Sequence, residues 1–118
     1  MSNRNLKVKN VDVEKYLYLL KSIFNLTDME ITVLASFIRV AKSNSLSLDK
    51  TYKVFETSVR KQVAKHLNKQ VTDINLYIHK LKKKNTIRDN NGKYIFNSIV
   101  YSKDDVNNLS FNLVWENK

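Results

Sequence analysis

The chain has 118 residues, enough for one domain and short for two, and its apolar content of 42% fills one core and argues against a wholly disordered chain. With no Cys, one Gly and no Pro, it excludes disulfides, thiolate metal sites, cysteine nucleophiles and glycine-rich phosphate loops. Lys and Arg number 21 against 11 Asp and Glu, a formal net charge of +10 that attracts polyanions.

Residues 1–11 are polar and carry Arg4, Lys7 and Lys9, which predicts a flexible basic arm. The remainder, 12–118, reads as one domain. Val13, Tyr16, Leu17, Leu20, Ile23 and Phe24 repeat at three- and four-residue steps and predict a helix over 12–24, capped by Asp12. Tyr18 and Leu19 make it apolar on a second side, so a homodimer or a protein partner is expected through this helix and the chain ends. Thr27-Asp28-Met29-Glu30 has the form of a capping box, flanked by Leu26 and Ile31 as a hydrophobic staple. It opens a helix over 28–43 with Ile31, Leu34, Ala35, Ile38 and Ala41 inward. Ser45-Leu46-Ser47-Leu48 alternates like a short strand. Residues 49–57 fit a turn of helix or a loop, with Tyr52 and Phe55 as anchors.

From Ser58, a plausible cap, Val59, Val63, Ala64 and Leu67 predict a helix over 58–67. Asn68-Lys69 breaks it, asparagine being the best residue after glycine for a left-handed turn. A further helix over 71–84 carries Val71, Ile74, Ile78 and Leu81 inward. Thr86–Phe96 holds two short apolar runs around Asn91-Gly92, the signature of a hairpin over 86–97. Ser102–Asn108 is a polar connection, and Leu109–Trp115 alternates as a last strand.

This α+β order of helix, short strand, helix, tight turn, helix and hairpin resembles a winged helix-turn-helix domain with an extra N-terminal helix and a C-terminal strand. The resemblance rests on Val63-Ala64-Lys65-His66-Leu67-Asn68, Ile74, Tyr77-Ile78 and Leu81, with Ala64 as the small residue where the two helices cross. Asn68 stands where the family usually has Gly, and Lys69 where it usually has an apolar residue. The layout, with the helix-turn-helix at about 58–84 and the wing at about 86–97, is similar to MarR-type proteins. It is also similar to short Lys- and Asn-rich proteins that bacteriophages encode. The resemblance implies duplex DNA as partner, with helix 71–84 in the major groove and a role in transcription regulation. The alternative it leaves open is an adaptor or structural protein that binds another protein, in a phage particle or a transcription complex.

The charge distribution agrees with the first reading. Residues 60–93 hold ten basic residues against Asp73 and Asp89, and so carry +8 of the +10. The basic cluster Lys80-Lys82-Lys83-Lys84, with Arg88 and Lys93, predicts contact with phosphates, Lys80, Lys82, Lys83, Arg88 and Lys93 being the candidate contacts. Candidate base or groove contacts on the outward face are Gln70, Thr72, Asn75 and His79, the two amides being suited to adenine. That face has no Arg, the commonest reader of guanine. The histidines His66 and His79 stand thirteen apart and fit no zinc spacing. Acidic residues are scattered, with no acid/base or metal set, so no enzyme, metal or cofactor is expected. No apolar run approaches the ~20 residues of a membrane span and the first residues have no signal-peptide core. A cytoplasmic location is expected, in a bacterial host cell, or a virion if a phage encodes the chain.

Overall fold

Apolar spacing starts the first helix and a single residue interrupts it. In a computed structural model, which describes residues 13–101, residues 13–19 form α1 and Lys21–Phe24 form α2. The expected single helix over 12–24 is therefore broken at Leu20. Ile23, expected inward, is 69% exposed, while Leu17 and Leu20 are buried. Tyr18 and Leu19 are exposed as well. The arm 1–11, the Asp12 cap and the strand at 109–115 lie outside the described residues.

The next helix, α3 (Asp28–Ser43), has the expected bounds. Thr27 Oγ1 accepts from the Glu30 amide at 3.2 Å, and Glu30 Oε1 accepts from the Thr27 amide at 2.8 Å. Two otherwise orphaned donors are thus satisfied reciprocally. The predicted stripe is buried, and so are Val33 and Phe37. Burial on so many sides makes α3 the central helix, packed by the later elements.

The alternation at Ser45–Leu48 does not become a strand. Ser45 turns left-handed (φ 54°), and Leu48–Phe55 coils into a 3₁₀ helix. Buried Thr51 explains the choice. Its hydroxyl donates to the Leu48 carbonyl at 2.6 Å and accepts from the Phe96 amide at 3.2 Å. A side chain thus satisfies the Phe96 amide at the hairpin edge.

Helix α4 (Thr57–His66) starts one residue earlier than predicted. Glu56, not Ser58, takes the N-cap position, because its carbonyl accepts from Val59 and Arg60, both at 3.0 Å. Asn68 then turns left-handed (φ 58°), with Lys69 N bonded to Ala64 O at 2.8 Å and Asn68 N to Lys65 O at 3.1 Å. That paired pattern is a Schellman end. Helix α5 (Val71–Lys83) follows, with Ile74, Ile78 and Leu81 buried. It ends in the same way at Asn85 (φ 70°).

Strands β1 (Ile87–Asn90) and β2 (Lys93–Phe96) pair antiparallel, from Ile87 opposite Phe96 to Asn90 opposite Lys93. The loop residues Asn91 and Gly92 both have positive φ, 56° and 83°, as a type I′ turn demands. The observed class is α+β with one two-stranded sheet among the described residues. Aromatic rings bind the layers: Phe37–Phe55 at 5.1 Å, Phe55–Phe96 at 5.3 Å and Phe96–Tyr101 at 5.2 Å.

One ion pair closes the structure. Lys84 Nζ lies 2.6 Å from Glu30 Oε1 and donates to the Asn25 carbonyl at 2.7 Å. Burial pushes the Glu30 carboxyl up, but the Lys84 and Thr27 bonds outweigh it and hold the group below the usual glutamate range. A depressed carboxyl stabilises the fold above its unfolded value and stops doing so as pH falls through the folded one. Glu30→Gln should cost about 3 kcal/mol at neutral pH by breaking a buried pair, and its deficit against wild type should shrink as pH drops below about 4.3. Urea unfolding from pH 7 to 3 measures this, and a pH-independent deficit contradicts it. At the hairpin, a Cβ added to Gly92 meets no atom within 4 Å, so only the left-handed conformation opposes it. Gly92→Ala should cost about 1 kcal/mol, read as a lowered melting temperature.

Candidate nucleic-acid interface

Helix geometry sorts the residues of α5 before any partner is considered. Ile74, Ile78 and Leu81 point into the core. Three- and four-residue steps then leave Thr72, Asn75, Leu76, His79 and Lys83 as one exposed stripe. Gln70 is exposed at the N-cap, Lys80 is exposed beside the stripe, and Lys82 is half-buried on its other flank. On the hairpin, alternation puts Arg88, Asn90, Lys93 and Ile95 on one face, opposite the core-facing Ile87 and Phe96. Lys82 meets the other side of the hairpin: its ammonium lies 5.5 Å from the ring centre of Tyr94, which pairs with Asp89 on the face of Ile87 and Phe96. No hydrogen bond or ion pair ties Arg88 or Lys93 to α5 among the described residues.

Tyrosine rings hold several of the lysines. Lys80 and Lys69 flank Tyr77 at 5.5 and 5.9 Å, and Lys93 lies 4.3 Å over Tyr52. A ring face attracts an ammonium by about 0.5–1 kcal/mol at an exposed site. The lysine keeps N–H donors for an anion's oxygens. Lys83 and Arg88 have no hydrogen bond, ion pair or ring partner among the described residues. Lys84 is different: its ammonium is committed to Glu30 and Asn25, so it leaves the basic run Lys82-Lys83-Lys84.

Both acidic residues of the 60–93 stretch serve the backbone. Asp73 accepts from the Gln70 amide at 3.2 Å, at the start of α5. Asp89 accepts from the Gly92 amide at 2.9 Å, inside the hairpin turn. Each carboxylate is thereby fixed at a turn, and neither belongs to the exposed stripe of α5.

Sequence reasoning counted Arg60 only as charge. Its Nε donates to the Phe55 carbonyl at 2.6 Å and its Nη1 to Asn75 Oδ1 at 2.9 Å. The guanidinium therefore reaches from α4 onto the outward side of α5. A signal was present: Arg60 lies four residues before Ala64, the crossing residue, and so on the face of α4 turned to α5. His66, in contrast, sits away from this face, in a groove lined by Ser36, Arg39, Val40, Gln62 and Val63.

Among the described residues no three His, Cys, Asp or Glu gather as metal ligands. No described helix is long and apolar enough to cross a membrane. Comparison with protein-family models, with curated proteins and with solved structures finds no match to this chain.

Proposed function

We propose that the chain is a winged helix-turn-helix protein that binds duplex DNA as a small transcription regulator. Helix α5 enters the major groove, and β1–β2 forms the wing. The observation that carries this reading is the order α4, Asn68 turn, α5 and hairpin within the stretch that holds +8 of the net charge, with both its carboxylates tied to amides. Lys80, Lys82, Lys83, Arg88 and Lys93 grip phosphates and release counterions, while Thr72, Asn75 and His79 face the groove and Gln70 stands at its edge. The cytoplasm, of a bacterium or of a phage-infected cell, is the compartment this role requires.

A second reading has its own observation. Leu19 is 73% exposed, Ile23 69% and Leu76 59%, which suits a surface for a protein partner or a second copy. In that case the molecule is an adaptor or a structural protein.

A salt titration on a random duplex separates the two. For a DNA binder, Lys83→Ala and Arg88→Ala should each lower the slope of log affinity against log salt by about 0.9, equally for all sequences. Lys84→Ala should leave the slope unchanged and lower the melting temperature instead, since its charge is spent at Glu30. Negligible affinity of the wild type at low salt would overturn the DNA reading. A dimer mass in light scattering would then favour the adaptor.

A further inference from the structure

The exposed stripe of α5 presents an amide with no arginine beside it in the same helix. An asparagine can match adenine's major-groove edge, its oxygen accepting from N6 and its nitrogen donating to N7. Only one orientation of the amide makes that match, and a free side chain pays to adopt it.

Arg60 supplies the constraint. A guanidinium carries donors only, so the Asn75 atom that faces Nη1 at 2.9 Å must be the oxygen. Flipping the amide would set donor against donor. The guanidinium is itself anchored, because Nε donates at 2.6 Å to the carbonyl of Phe55, a residue buried in the aromatic run with Phe37 and Phe96. The oxygen retains a second lone pair, and both N–H groups of the amide nitrogen remain. Asn75 itself is exposed, one turn from Thr72 and one from His79.

We propose that Arg60 determines base specificity: bridging the Phe55 carbonyl and Asn75 Oδ1, it locks the Asn75 amide so that α5 selects adenine at one position of duplex DNA. The inference rests on the DNA-binding reading above. Arg60 is a positioning residue here, acting through Asn75. Its charge alone does not suffice, because a lysine ammonium lacks the planar fork that donates to both oxygens at once.

Selection from a randomised duplex pool identifies the preferred site. Titrations then compare that site with duplexes changed at each base pair. Wild type should favour adenine at one position by about tenfold or more. Asn75→Ala, Arg60→Ala and Arg60→Lys should each erase that preference, and Asn75→Ala with Arg60→Ala should erase no more than either alone. Arg60→Lys should keep the wild-type affinity for random duplex and the wild-type salt slope. It carries the test if Arg60→Ala proves unfolded by circular dichroism. If Arg60→Lys retains the adenine preference, or additive losses appear in the double variant, Arg60 is a phosphate contact or a packing residue and the inference falls while DNA binding stands. A wild type that binds duplex with no preference also overturns it. A wild type with no duplex affinity overturns the functional reading itself.

Discussion

A buried carboxylate joins the two halves of this molecule. Glu30 caps the helix it stands in and also receives the ammonium of Lys84, 54 residues later. Left unpaired at that depth, the charge would cost several kcal/mol. Lys84 follows the last turn of α5 directly, so the pair fixes where α5 ends. The hairpin is tied to the same end: buried Thr86 donates to the Leu81 carbonyl at 2.9 Å, and its own carbonyl accepts from the Asn97 amide at 2.9 Å. The aim of α5 and the position of the hairpin therefore both trace back to the first turn of α3.

Three adjacent lysines show why net charge alone is a blunt instrument. Lys82 rests over the Tyr94 ring, Lys83 stands without a partner among the described residues, and Lys84 is drawn inward to Glu30. A tally of the sequence treats them alike. The helix separates them by 100° a residue, and each then meets what its bearing offers. The same logic explains the acids: short carboxylates beside turns find backbone amides before they can find lysines.

Features with a local cause were legible in the sequence. The Thr27–Glu30 box, the left-handed Asn68 and the Asn91-Gly92 turn each depend on a few consecutive residues, and each formed where the residues said. Features with a distant cause were not. Residues 49–57 fitted a turn of helix or a loop, and they form most of the 3₁₀ helix Leu48–Phe55; its bond from Thr51 to Phe96, 45 residues away, had no sign in the alternation at Ser45–Leu48. Ser58 had the right side chain for a cap, but Glu56 supplied the first accepting carbonyl. On the candidate face, the exposed stripe of α5 followed from helical spacing. Arg60 escaped because its contact crosses between helices, and only its spacing from Ala64 pointed that way.

Three helix ends here use asparagine where most proteins place glycine: Asn25, Asn68 and Asn85 all have φ near +60°. Asparagine tolerates that region because its short amide can bond locally with the backbone. Unlike glycine, it also restricts the unfolded chain, so each reversal begins from a smaller ensemble. Turn-forming capacity in a chain of this composition must then be counted in asparagines. A count of glycine and proline alone would rank it among sequences unable to fold back on themselves, and would be mistaken at the ends of α2, α4 and α5.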